Sequence, residues 1–190
     1  MKVLAFAASL RIGSLNRKLL SAAVDILVRR DDWTVDHADF HEFDVPVYDG
    51  DLEQAAGIPP GAQQFVRRIL EARALIISAP EYNGGISGAL KNAIDWASRN
   101  DPIPFEGKPL LLLGASPGRF GAVRGLWHTR VPLEAIGTLV YPQMFALPRA
   151  HHAFDERGMI SDPKIRVQLE EILASFLSFA HAVSDARQRP

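Results

Sequence analysis

The stretch Val3-Leu4-Ala5-Phe6-Ala7-Ala8-Ser9-Leu10-Arg11-Ile12-Gly13-Ser14-Leu15-Asn16 decides how this chain folds. Residues 3–7 form a short unbroken apolar run, as expected of a parallel strand covered on both faces. A polar turn containing Gly13 follows. Then Leu15, Leu19, Ala22, Ala23, Ile26 and Leu27 recur at helical spacing. Strand, polar turn and helix make the opening of a βαβ unit.

Outward from there the unit repeats. Residues 33–40 alternate weakly and predict a second strand. Residues 43–60, rich in Pro, Gly and acid, read as a long loop, and 62–72 as a helix. Residues 74–78 (Ala-Leu-Ile-Ile-Ser) are a buried strand stopped by Pro80. A turn at 82–86 leads into a helix over 87–98 with Ser87 as candidate N-cap. Residues 109–113 are the most apolar strand. A helix over 120–134 is expected to break near Pro132. Residues 138–141 are the fifth strand, 151–163 a polar connection, and 165–183 a long amphipathic helix. Strands alternating with helices predict one α/β domain over residues 1–190, a parallel sheet with helices on both faces.

Composition narrows the function. Hydrophobic residues make up 47% of the 190, and the formal net charge is −1 with no basic block. Nucleic acid and anionic membrane are therefore not expected partners. There is no cysteine, so no disulfide framework, thiolate nucleophile or zinc–cysteine site; redox chemistry would need a bound cofactor. The N-terminal apolar run is short and meets Arg11, unlike a secretory leader. No apolar run is long enough to span a bilayer, so the expected compartment is the cytoplasm.

Three polar turns follow strands one, three and four. In open parallel sheets, ligands bind beyond the carboxyl ends of the strands, so these turns should converge. In the first, Ser9, Ser14 and Asn16 offer side-chain donors, Arg11 a guanidinium fork, and the helix N-terminus unpaired N–H groups. This suits one phosphate; it equally suits a capped turn with no ligand. Neither a Walker loop nor a Rossmann fingerprint is present. The second turn, Pro80-Glu81-Tyr82-Asn83-Gly84-Gly85-Ile86, lacks Cβ atoms at two successive positions. Backbone there could lie against a flat ring, or Asn83-Gly84 could simply supply a β-turn. The third, Gly114-Ala115-Ser116-Pro117-Gly118, matches the hydrolase nucleophile elbow in form. Pro117, however, has no N–H for an oxyanion hole, so a Ser116 hydrolase is rejected.

Residues 80–99, ending Leu90-Lys91-Asn92-Ala93-Ile94-Asp95-Trp96-Ala97-Ser98-Arg99, resemble the NADPH-dependent FMN reductase family. That family comprises flavodoxin-like enzymes including quinone, azo-dye and chromate reductases. Its pattern is close to Pro-Glu-Tyr-Asn-x-Ser-x-Pro-Gly-x-Leu-Lys-Asn-x-Ile-Asp-Trp-x-Ser-Arg; here Gly85 replaces Ser and Ser87 replaces Pro. The first turn resembles the family's Gly-Ser-x-Arg-x-x-Ser-x-Asn, with Ala8 for the leading Gly. Residues 44–49, with Asp51 and Glu53, resemble a further family segment. The likeness runs to about Arg124.

The resemblance implies a flavodoxin-like, five-stranded parallel sheet of order 2-1-3-4-5. It implies FMN as cofactor and NADPH or NADH as co-substrate, with no catalytic side chain, because the flavin carries the chemistry. Ser9, Arg11, Ser14 and Asn16 would hold the phosphate. Pro80, Glu81, Tyr82, Asn83, Gly84, Gly85, Ser116 and Gly118 would contact the flavin. The acceptor would be a quinone, azo compound, metal oxyanion or free flavin. The alternative is a flavodoxin-like electron carrier without its own NAD(P)H reaction, although carriers are commonly acidic and this chain is near neutral. A homodimer or homotetramer is expected. Trp96 reads as core or interface packing, Lys91 and Arg99 as solvated or ion-paired, and His151-His152 as a surface pair, not a metal site.

Overall fold

A computed structural model describes residues 1–188. Its strands and helices are β1 (Lys2–Ala7), α1 (Leu15–Leu27), β2 (Thr34–Ala38), α2 (Gly50–Ala56), α3 (Pro60–Glu71), β3 (Ala74–Ser78), β4 (Glu81–Tyr82), β5 (Gly85–Ile86), α4 (Gly88–Ala97), β6 (Pro109–Ala115), α5 (Val123–Ala135), β7 (Leu139–Val140), β8 (Phe145–Leu147) and α6 (Pro163–Gln188). The main sheet is parallel in the order β2-β1-β3-β6-β7, with β8 also pairing β6.

The apolar strands are explained by burial on both faces, because successive side chains point to opposite sides. Val3, Ala5, Ala7, Ile76, Leu111 and Leu113 pack under α1 and α6. Leu4, Phe6, Leu75, Ile77, Leu110 and Leu112 pack under α3, α4 and α5. On that second side Phe6 stacks on Phe40 (centroids 5.6 Å apart) and meets the edge of Phe65 (5.4 Å).

Three expectations need correction. The sheet has six strands, not five, because the fifth position is filled by two short pieces. β7 pairs with Pro109 and Leu110, and β8 with Leu113 to Ala115. Tyr141 still donates its N–H to Leu110 (2.7 Å), but the next residue is Pro142, which has no N–H to continue the ladder. The loop expected over 43–60 contains a helix, α2, capped by Asp49, which accepts from Asp51 N–H (2.8 Å), with Asp51 and Glu53 in its first turn. Finally, α5 runs through Pro132 to Ala135; a single missing donor there does not end it.

Candidate active-site cleft

The first turn is built by capping. The Ser14 hydroxyl accepts from Asn16 N–H (3.2 Å) and opens α1, while the Ser9 hydroxyl accepts from Arg11 N–H (3.4 Å). Both serines are buried, and Arg11 is exposed. Among the described residues, the N–H groups of Ile12, Gly13 and Leu15 have no acceptor, and the Arg11 guanidinium has no partner. Orphan amides at the positive end of a helix, with a guanidinium beside them, form an anion cradle. The donor set suits the doubly charged phosphate of a mononucleotide such as FMN; among the described residues lining the cleft the one acid is Glu81, whose carboxylate is engaged by Arg124 and Gly125.

Asn16 does something the sequence reading did not anticipate. Its side chain is buried; Nδ2 donates to the Ala115 carbonyl (3.0 Å), and Oδ1 accepts from Ala115 N–H (2.9 Å) and the Ser78 hydroxyl (3.1 Å). It ties the carboxyl ends of β3 and β6 to the start of α1. Its side-chain oxygen is fully used, so it is a brace behind the cradle.

The second turn is a two-residue hairpin, β4 paired antiparallel with β5. Asn83 (φ 52°) and Gly84 (φ 77°) are both left-handed, the pairing that an Asn-Gly hairpin turn requires. The glycines face α5. A Cβ on Gly85 would lie 3.3 Å from His128 Nδ1, and one on Gly84 would lie 4.0 Å from Arg124 Cζ. The Glu81 carboxylate accepts from Arg124 (2.5 Å) and from Gly125 N–H (3.0 Å). Burial would raise its pKa, but the Gly125 amide and then Arg124 outweigh it and hold the carboxyl below its usual range.

The third turn is pinned to the segment after β8. Ser116 N–H donates to Leu147 (3.2 Å), Ala150 N–H to Ser116 (3.0 Å) and Arg149 N–H to Gly118 (3.0 Å). Among the described residues, no histidine bonds the Ser116 hydroxyl.

The three turns meet in one cleft of about 200 Å³ beyond the carboxyl ends of β1, β3 and β6. Of the expected residues, Ser9, Arg11, Ser14, Asn16, Pro80, Glu81, Tyr82 and Ser116 line it. Asn83, Gly84, Gly85 and Gly118 do not. Gly13, Leu15, Ala115 and Pro117 complete the wall. Size does not single out this cleft: a groove between α1 and α6 is as large, and one beside Arg17 and Asp39 is larger, about 300 Å³. Unlike those two, the cleft at the strand ends brings together the turns of three strands around unpaired amides.

The motif after the hairpin proves structural. Asn92 accepts from Tyr48 N–H (2.8 Å) and donates to the Pro46 carbonyl (2.8 Å), which also accepts from Trp96 Nε1 (2.8 Å). Trp96 is fully buried against the edge of Tyr48. Lys91 pairs with Asp95 (2.7 Å) and Arg99 with Glu53 (3.1 Å). The Tyr48 hydroxyl first, and Arg99 after it, hold the Glu53 carboxyl below its ordinary pKa. This motif therefore clamps the 44–49 loop on α4. Sequence reading missed Gly125, whose absent Cβ would lie 2.8 Å from Glu81 Cβ; only the α5–hairpin contact reveals it. His151 and His152 are exposed with rings 3.9 Å apart, and no metal-binding cluster occurs among the described residues.

Comparison with known proteins agrees with this geometry. Residues 1–152 match the family model described as NADPH-dependent FMN reductase. The chain is 39% identical over 175 residues to an NAD(P)H-dependent FMN reductase of Pseudomonas aeruginosa, covering 91% of each. It is 35% identical over 187 residues to a probable NADPH:quinone oxidoreductase of Oryza sativa subsp. japonica, covering 95% of this chain and 89% of that one. The solved structure of FerB, a flavoenzyme NAD(P)H:(acceptor) oxidoreductase from Paracoccus denitrificans, has a TM-score of 0.82 at 29% identity, covering 95% and 97%. With those turns converging as they do, this chain belongs to the NADPH-dependent FMN reductase family.

Proposed function

We propose that this protein is an FMN-dependent oxidoreductase that passes electrons from NAD(P)H to a small-molecule acceptor, with quinones the first class to test. Family membership supports the cofactor, and the names of the quinone-reducing relatives support the acceptor. The observation that carries the reading is the set of unpaired amides of Ile12, Gly13 and Leu15 beside Arg11. FMN, when bound, supplies the exchange of two electrons between a nicotinamide and an acceptor.

The residues of the chain then have distinct tasks. Arg11 and the amides of the first turn hold the phosphate, while Ser9 and Ser14 fix the turn that presents them. Backbone of Pro80 to Tyr82 and the Ser116 hydroxyl border the opposite side of the cleft. The half-exposed Tyr82 ring stands where a flat acceptor could rest. Asn83, Gly84 and Gly85 shape the hairpin and position Pro80 to Tyr82. Gly118 anchors the third turn through Arg149. No proton-transfer residue is assigned.

Azo compounds, metal oxyanions or free flavin are further acceptors to test. The Trp127 and Val131 side chains, exposed on α5, suit a homodimer or homotetramer. No described helix is long and apolar enough to cross a membrane, and the cytoplasm is the proposed compartment. The purified protein is expected to be yellow and to bleach with NADPH under argon, regaining colour when a quinone is added. Colour without bleaching would replace this reading by an electron carrier. A colourless protein that takes up no FMN would overturn it.

A further inference from the structure

The end of the sheet remote from the cleft carries a cluster that the flavin reading does not use. A cavity of about 40 Å³ lies between the start of β6 and the last turns of α6. It is lined by Arg73, Gly107, Lys108, Pro109, Val183, Ser184 and Arg187. On the same measure, one water needs roughly 10–15 Å³, so this space holds more than one. Three of the lining residues are cationic and none is acidic. Like charges do not gather in a partly buried space without an anion or a strong tether.

The tethers are partial. Lys108 Nζ donates to the Ala72 carbonyl (2.5 Å) and the Leu70 carbonyl (3.2 Å), at the carboxyl end of α3, which leaves one ammonium proton. Arg187 gives Nη1 to the Gly107 carbonyl (3.2 Å). Gly107 is left-handed (φ 65°), and a Cβ there would collide with the Arg187 guanidinium. The glycine therefore keeps the place that the guanidinium occupies. Among the described residues the Arg73 side chain has no partner. Ser184 is only 7% exposed, and its hydroxyl has no hydrogen bond among the described residues, although it lines the cavity. By contrast, Ser178 on the same helix bonds back to the Ala174 carbonyl (3.1 Å). Burial, then Arg73 and Arg187, push the Lys108 ammonium down to about 8; no carboxylate opposes them.

We propose that this cavity binds one small tetrahedral oxyanion, phosphate or sulfate, held by Arg73, Lys108, Arg187 and the Ser184 hydroxyl. The ion would join α6 to the entry of β6 and the turn before β3. Its small volume favours the free ion over a phosphate carried on a larger molecule.

Thermal unfolding of the full chain, titrated with inorganic phosphate and with sulfate at ionic strength held constant by sodium chloride, tests this. Above its dissociation constant, each tenfold rise in the ion should lift Tm by roughly 3–5 °C. The first-turn cradle is a rival phosphate site, so the titration is repeated on two variants. The rise should persist in Arg11→Ala and fall by at least half in Arg187→Gln. Arg73→Gln, at an exposed position, gives the same reading should the first variant fold poorly. Glycerol phosphate should stabilise much less than the free ion; equal stabilisation would move the assignment to a phosphomonoester. A rise lost in Arg11→Ala but kept in Arg187→Gln and Arg73→Gln would overturn the proposal. So would no rise beyond that of chloride. Because no arm requires FMN, failure here leaves the oxidoreductase reading untouched.

Discussion

The first and second turns look alike as sequence: each follows a buried strand, and each mixes glycine with short polar residues. In the fold they spend those residues differently. The first turn caps α1 with Ser14 and leaves Ile12, Gly13 and Leu15 amides unpaired. The second turns its glycines toward α5 and locks Glu81 onto Arg124 and Gly125. Glycine in a turn thus reports a backbone conformation or a close approach. It points to a ligand only where donors remain after the protein's own bonds are counted.

The difference can be broken most severely at the brace behind both turns. Asn16→Leu keeps approximate shape but strands the Ser78 hydroxyl and both backbone groups of Ala115. A loss of roughly 2–4 kcal/mol in unfolding free energy is expected. Denaturant melts of the FMN-free protein measure it. If the variant kept wild-type stability but lost FMN, Asn16 would be a ligand, as the sequence alone suggested.

Arg11→Ala should act in the opposite sense. It removes a charge-assisted bond to phosphate worth roughly 1.5–3 kcal/mol, so the FMN dissociation constant rises at least about tenfold. Stability without FMN should hardly change, since Arg11 is exposed and has no partner among the described residues. Fluorescence titration with FMN and with riboflavin checks both parts; riboflavin affinity should be nearly the same in variant and wild type.

Gly84→Val probes the hairpin. At φ 77° an L side chain costs roughly 1–2 kcal/mol, and this strain belongs to the empty protein. Melting temperature should fall first, with flavin occupancy per folded molecule nearly preserved. Full apoprotein stability alongside lost occupancy would return Gly84 to the flavin surface and erase the contrast between the turns.

Much of this was legible in the sequence, because apolar runs, helical spacing and caps act locally. Ser14 and Ser87 cap helices as their positions predict. The helix α2 was obscured by Gly50 at its first position and the prolines around it, though Asp49 followed by Asp51 and Glu53 carried a capping signal. Asn16 reads from the sequence as a phosphate contact, whereas its side chain is bonded to Ala115 and Ser78. Whether an amide faces a ligand or a neighbouring strand depends on residue 115, about a hundred positions away in the chain, and no local pattern encodes that. A separation of 44 positions likewise hid Gly125 and its contact with Glu81. The Asn92 and Trp96 pair was visible as a motif, yet its purpose depends on where residues 44–49 return.

Pro142, described above as the break between β7 and β8, has a consequence for the protein in a crowded solution. The outer margin of a sheet is a row of unpaired amides and carbonyls onto which another chain can add a strand. Here that margin is two short pieces, two and three residues long, separated by residues 141–144, among them Pro142, which cannot donate. An incoming strand would find no continuous row to zip along. The flank next to the Ser116 turn therefore resists fibril-like stacking without spending charged residues on it.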